Sequence, residues 1–237
     1  MPHQPITRRA LVAGLASAPL LVALPGGSPR ARAAVSPALA FDILRNDSTI
    51  GEHLISVETT AEGLQVTIDT DIRVRVLGLT LYRYQHSSRE QWHRREGQLR
   101  LERLSARTDD DGTPFTVEGE ASPAGFRVEG SAGQLTAPPE IVPASYWTPL
   151  VLQRDQLLST KRGTLFPIAV ERRGSETLGS AGERVTTERF FIPGDPAVHL
   201  WFDDRQRVRR LAFETRGEFI DYRLRRMDPL GLDERLF

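Results

Sequence analysis

Between Leu79 and Trp92 the chain reads Leu-Thr-Leu-Tyr-Arg-Tyr-Gln-His-Ser-Ser-Arg-Glu-Gln-Trp. The side chains gathered here are those that chemistry uses: two phenols, an imidazole, a carboxylate and an indole. In an extended strand alternate side chains share a face, so Tyr82, Tyr84, His86, Glu90 and Trp92 line one side together. Such a row has two readings. Aromatic side chains favour strands simply because they fit a pleated, half-buried surface. Largely apolar walls with a few placed polar groups are also what a small-molecule pocket needs. On the second reading Tyr82, Tyr84, His86, Glu90 and Trp92 contact the guest, and Tyr146 and Trp147 on a short helix close the cavity from one end.

The same residues raise two catalytic alternatives. His86 and Glu90 could act as an acid–base pair in a hydrolase or isomerase. On a helix, His86, Glu90 and His93 would fall at i, i+4 and i+7, the face of a three-ligand metal site. On a strand His93 points away from the other two and no common site forms. The alternating Leu79 and Leu81, the aromatic content and the Glu96-Gly97 turn favour the strand, so no metal is expected. The runs Asp109-Asp110-Asp111 and Asp203-Asp204 lack the spacing of an EF-hand loop and read as tight-turn residues. The chain has no G-x-S-x-G elbow, no phosphate-binding glycine loop and no H-E-x-x-H, and no cofactor is expected.

The elements that must position this row read as a β meander. Turn-forming clusters recur at Arg45-Asn46-Asp47-Ser48, Ala61-Glu62-Gly63, Glu96-Gly97, Asp109–Gly112 and Pro123-Ala124-Gly125. Between them Leu64, Val66, Ile68, Thr70, Ile72, Val74 and Val76 keep a strict period of two, the mark of a strand with one face on a core. Phe115 with Val117, and Phe126 with Val128, continue the pattern. Prolines at 138, 139 and 143 make the next stretch a crossing loop. A short helix follows near 145–152, capped by Ser145 or Thr148, with Pro149 in its first turn. Strands resume at 165–171, 185–192 and 198–202, and a final hairpin joins 208–214 to 219–224 through Arg216-Gly217. The expected fold is all-β: one strongly curved antiparallel meander, an open or half barrel, with the helix on its concave side.

At the amino end Arg8 and Arg9 precede a mildly apolar run from Ala10 to Leu24, then Pro25-Gly26-Gly27 and an A-x-A site at Ala31 and Ala33. The run is shorter than the roughly 20 residues a bilayer requires, and the pattern resembles a twin-arginine signal peptide. Residues 1–33 are therefore expected to be a cleaved leader handled transiently by the twin-arginine translocase. Residues 34–237 would form a single periplasmic or secreted domain with no membrane span and an irregular tail from about 227.

Composition limits the functions further. The 237 residues are 39% hydrophobic and 26% charged, enough apolar material for a sizeable core. Beyond Ala33 the chain carries 27 Lys and Arg against 31 Asp and Glu, and Lys161 is its only lysine. No basic face for nucleic acid is indicated. The absence of cysteine excludes disulfides, thiolate metal sites, a cysteine nucleophile and a lipidated cysteine.

The order of segments resembles a known family. Phe41-Asp42-Ile43-Leu44-Arg45-Asn46 with Ile50-Gly51 opens it, followed by Tyr82-Arg83-Tyr84 with Glu90 and Trp92. Arg107-Thr108-Asp109-Asp110-Asp111-Gly112, Ser145-Tyr146-Trp147 and Leu200-Trp201-Phe202-Asp203-Asp204 complete the set. Together they resemble the exported bacterial proteins catalogued as domain of unknown function 6134, over nearly all of residues 40–224. More distantly the pattern is similar to periplasmic curved-sheet domains like the lipoprotein carriers. The resemblance implies the fold and, by analogy alone, an apolar ligand. The function expected is non-enzymatic binding or carriage of an apolar or amphipathic small molecule. A scaffold or partner-binding module of the cell envelope is the third reading, marked by an exposed apolar patch and no enclosed pocket.

Overall fold

In the computed structural model, residues 38–215 and 217–228 are described. The leader with Arg8, Arg9, Ala31 and Ala33, the turn residue Arg216 and the tail beyond Asp228 lie outside them. Fifteen strands are found among the described residues. The first eight are β1 (Leu39–Arg45), β2 (Ser48–Thr59), β3 (Gly63–Val76), β4 (Leu79–Arg95), β5 (Gln98–Asp110), β6 (Thr113–Ser122), β7 (Gly125–Gly130) and β8 (Gly133–Ala137). A 3-10 turn (Pro149–Gln153) and a small pair, β9 (Gln156–Leu158) and β10 (Leu165–Pro167), come next. The chain then returns through β11 (Glu171–Ser180), β12 (Glu183–Ile192), β13 (Ala197–Asp203), β14 (Val208–Thr215) and β15 (Glu218–Met227).

Thirteen strands make one antiparallel sheet in the order β11-β12-β13-β14-β15-β1-β2-β3-β4-β5-β6-β7-β8. Each neighbour follows its predecessor through a short turn except at two places. β15 returns to pair with β1, and residues 138–170 carry the chain from one edge of the sheet, β8, to the other, β11. The sheet is open, and its curvature gives it an inner face. Opposed residues in the register share that face: Phe41, Ile43, Ile55, Val66, Ile68, Leu104, Leu200 and Leu211 all lie buried on it. The period-two row of β3 supplies Leu64, Val66 and Ile68 as expected.

An open, bent sheet leaves its inner face to be covered by something else, and residues 138–168 do so. This segment crosses as a strap that buries Ile141, Val142, Trp147, Val151, Leu157 and Leu158. Its backbone is self-bonded, with Ala144 N donating to Leu158 O at 2.9 Å and Leu158 N to Val142 O at 3.0 Å. The expected helix is a single 3-10 turn beginning at Pro149. Thr148 caps it by accepting from Leu150 N at 3.3 Å, and Tyr146 and Trp147 precede it in non-helical backbone. Tyr146 has φ 56°, a left-handed angle that a bulky residue adopts only under constraint. The kink sends neighbouring rings to opposite walls: Tyr146 packs on Phe213 of β14, while Trp147 packs on Trp92 of β4.

One backbone contact tests the tightness of the fold. A Cβ at Gly51 in β2 would lie 2.1 Å from Asp71 O in β3, closer than any side chain tolerates. Gly51→Ala is expected to force the two strands apart and cost about 2–3 kcal/mol, the range for overpacking a full core. In urea the unfolding midpoint should fall with its slope unchanged.

Candidate functional site

The whole row predicted on β4 does share the inner face, but it divides into two environments. At one end Glu90 is 0% exposed and Trp92 and Trp147 are each 1% exposed. Glu90 Oε2 accepts from both indoles, Trp92 Nε1 and Trp147 Nε1, each at 2.9 Å. The two rings meet edge to face with centroids 5.8 Å apart. These three residues, with Tyr146 at 8% exposed, are packed core rather than the walls of a hollow. Their surfaces are spent on one another, and that corrects their expected role as direct contacts for a guest.

The other end is polar and half-open. Tyr82, Tyr84 and His86 are partly exposed. Pairing places His53 of β2 opposite Thr70 of β3, Thr70 opposite His86 of β4, and His86 opposite Thr108 of β5. The result is a cross-strand line of alternating imidazole and hydroxyl. His53 Nδ1 and Thr70 Oγ1 are 2.7 Å apart, and His86 Nδ1 and Thr108 Oγ1 are 2.8 Å apart. Tyr84 stacks on His86 at 6.5 Å, and Tyr222 of β15 stands edge-on to His53 at 5.5 Å. Tyr82 donates to Asp110 at 2.7 Å, Lys161 of the strap bonds the same carboxylate, and its ammonium lies 4.7 Å from the Phe115 ring centroid.

Burial governs the protonation of both ends. It drives the pKa of His53 down to about 3, helped by the charge of His86, and that of His86 down to about 4 against the pull of Asp69. Both rings are neutral at physiological pH. Burial, with the Asp110 charge, raises Tyr84 to about 12, and burial also raises Tyr82 and Tyr222. At Asp110 burial opposes ionisation, but the bonds from Lys161 and Tyr82 outweigh it and hold the carboxyl below its usual value. Glu90 is raised, because its complete burial exceeds the help of the indoles. Ser145 also favours its charged form, although Ser145 Oγ and Glu90 Oε1 have no partner in hydrogen-bonding geometry.

This arrangement does not supply the acid–base pair. Four strand residues put His86 and Glu90 about 13 Å apart along β4, and each is bonded elsewhere, His86 to Thr108 and Glu90 to two tryptophans. His93 faces the other side, near Glu62 and Glu102. Among the described residues no three His, Asp or Glu side chains are grouped to hold a metal. Asp109, Asp111 and Gly112 make the β5–β6 turn, with Gly112 N donating to Asp109 Oδ1 at 2.7 Å. Reading the β4 row alone passes over His53, Thr70, Thr108, Asp110, Lys161 and Tyr222. The signals for them were the lone lysine and the alternation of His53 with Ile55 and Val57.

The two ends bend stability with pH in opposite directions. The raised Glu90 means that the folded protein keeps a proton the unfolded chain releases above its ordinary value of 4.5. Its contribution is full below that value and declines as pH rises, until Glu90 itself ionises. Glu90→Gln retains an acceptor for the indoles and is expected to flatten this decline in a series of thermal melts. Glu90→Ala strands two buried N–H groups and is expected to cost about 3 kcal/mol at acid pH, and less as pH rises. His53 and His86 act on the acid side. Below their ordinary value of 6.5 the unfolded chain gains protons that the folded one refuses down to about 4 for His86 and about 3 for His53. Each costs about 1.4 kcal/mol per pH unit across that window, and His86→Gln should reduce the acid-side slope by the equivalent of one proton.

Among solved structures the chain is similar to the beta-barrel-like protein of domain of unknown function DUF1849 from Brucella abortus. The TM-score is 0.53 at 10% identity, over 81% of this chain and 97% of that one. At that identity the likeness shows the fold alone, a curved sheet of the same kind. No match was found among curated proteins. Residues 41–225, from the third residue of β1 to two residues short of the end of β15, match one family model. The chain therefore belongs to the family described as Domain of unknown function (DUF6134).

Proposed function

We propose that the protein binds an amphipathic small molecule without transforming it, at the polar end of the inner face. One observation carries this reading. Two buried polar atoms on that face have no hydrogen-bond partner: His53 Nε2 and Ser88 Oγ. A folded chain matches nearly all such atoms, and each unmatched one costs about 1–3 kcal/mol. Ser88 lies between His86 and Glu90 on β4, so the set follows the predicted row. A guest with a hydrogen-bonding head would meet these atoms, and Tyr82, Tyr84 and His86 would flank its entry. Burial of its apolar part would contribute roughly 25 cal/mol per Å². Glu90, Trp92, Tyr146 and Trp147 would serve as the floor beneath it.

Export by the twin-arginine route and a periplasmic or secreted location belong to the same proposal, supported by Arg8, Arg9, Ala31 and Ala33. A partner-binding module is the second reading. It is favoured by the exposure of Leu77, Leu79 and Leu81 together with the packed core under the strap.

Two experiments test this. Native mass spectrometry of protein recovered from its own host should carry an added small-molecule mass, and amphiphiles with varied heads should raise the melting temperature. Ser88→Ala should stabilise the bare protein by about 1 kcal/mol, since it removes an unmatched hydroxyl, yet weaken that ligand-induced rise. If Tyr84→Ala and His86→Ala leave the rise untouched, the site is elsewhere. Recovery of bare polypeptide alone, with no amphiphile giving any shift, moves the weight to the partner-binding reading. For export, Arg8→Lys with Arg9→Lys should leave the unprocessed chain in the cytoplasmic fraction.

A further inference from the structure

The β3–β4 hairpin outruns its neighbours. The ladder with β2 ends at Gly51 opposite Ile72, and the ladder with β5 ends at Asp110 opposite Tyr84, so residues 73–82 stand clear as a two-stranded ribbon. Its tip is apolar. Leu77 is 99% exposed, Leu79 69% and Leu81 60%. Leucine at these places is costly twice over. Leu77 and Gly78 form the two-residue turn with φ of 51° and 83°, a geometry that asparagine followed by glycine adopts most readily. A leucine there combines left-handed strain with complete exposure to water. Neither cost serves the fold, because the tip touches none of the core.

The shape of the tip limits what it fits. The register shifts between Val74 and Arg75, from Val74 opposite Tyr82 to Arg75 opposite Thr80, so Leu81 is the extra residue of a bulge. Leu79 then falls opposite Val76, on the face of Tyr82, and Leu77 sits in the turn beyond both. The leucines are thus gathered at the extremity of the ribbon, which suits end-on entry into an apolar medium. Within the ribbon itself the charge is of one sign, with Asp71 and Asp111 at its base. Residues 72–83 include Arg73, Arg75 and Arg83 and no acid, on a chain that past Ala33 has more acids than bases. Arg73 pairs with Asp71 at 2.9 Å, and Arg83 lies beside Asp111, whose carboxylate accepts from its backbone N–H at 3.4 Å. At about 3.3 Å per residue, Arg75 sits about 7 Å behind Leu77. That separation matches phosphate level against the roughly 5–10 Å to which interfacial apolar groups sink.

We propose that this ribbon docks the protein on an anionic phospholipid surface, with Leu77 and Leu79 inserted, Arg75 and Leu81 level with the phosphates, and Arg83 adding positive charge behind them. The absence of cysteine allows a site-specific test on the full chain. Leu77→Cys, labelled with an environment-sensitive fluorophore, would be mixed with vesicles of phosphatidylcholine alone or with added phosphatidylglycerol. A label at Asp204→Cys, exposed on the β13–β14 turn, controls for binding through any other part of the chain. The label at 77 should brighten and shift to the blue with the anionic vesicles and not with the neutral ones, while the label at 204 stays unchanged. Leu79→Ser with Leu81→Ser, or Arg75→Glu with Arg83→Glu, should weaken the response at least tenfold, and salt should weaken it too. The melting temperature should hold in both double variants. An unchanged label at 77, or an equal response to neutral and anionic vesicles, overturns the proposal. So does a response without vesicles that grows with protein concentration alongside a dimer in sedimentation, which would assign the tip to a second copy.

Discussion

The bond of two indoles to one buried carboxyl is what the rest of this architecture depends on. A thirteen-stranded sheet that does not close has an inner face with no natural cover, and hydrophobic area alone does not fix where a covering segment lies. The Glu90 carboxyl does. It accepts Trp92 from its own strand and Trp147 from the strap, so the strap is held to β4 by direction as well as by area. Tyr146, thrown the other way by its left-handed backbone, reaches β14 across the inner face. Neighbouring residues thus brace two walls that lie five places apart in the sheet order.

A buried carboxyl is an expensive way to place a strap, and burial shifts it toward the neutral form. In that form Glu90 avoids the desolvation of a charge and still accepts two N–H groups. The histidines farther along the same face are held neutral and bonded to threonines. The inner face is therefore polar in its hydrogen bonding but biased against charge, apart from the Asp110–Lys161 pair at its edge. Charge collects on the outer side, where Asp203, Arg207, Arg209 and Glu183 form one chain of contacts and Asp221 gathers Arg210 and Arg223.

Much of the fold could be read from residue order, because alternation and turn chemistry are local. The row from Leu64 to Val74, the Asp109–Gly112 turn, and the β13 pattern with Leu200 on one face and His199 and Trp201 on the other all follow from nearest neighbours. β11 did not show itself: Glu-Arg-Arg-Gly-Ser-Glu-Thr-Leu-Gly-Ser is exposed along most of its length and has no apolar alternation. The helix was over-read, since Tyr146 and Trp147 are drawn out of helical backbone, Tyr146 into a left-handed kink, by walls distant in sequence. The site was legible only along β4. Its lateral partners His53, Thr70 and Thr108 depend on the register of four strands, and a slip of one residue would turn each to the other side. Whether a row of rings lines a space or fills one is likewise decided by Trp147, fifty-seven residues from Glu90.

The seam between β1 and β15 has a consequence for the order of assembly. The strands on each side of it are two runs of consecutive hairpins, which can zip as soon as they are synthesised, whereas the seam joins residues such as Asp42 and Arg223 from opposite ends of the described chain. Until β15 is complete, β1 keeps one raw edge in what will be the middle of the sheet, open to pairing with any passing strand. A nascent chain of this protein is thus two unfinished wings, and only its last strand makes them one body. Translation from first residue to last cannot build the sheet in the same direction.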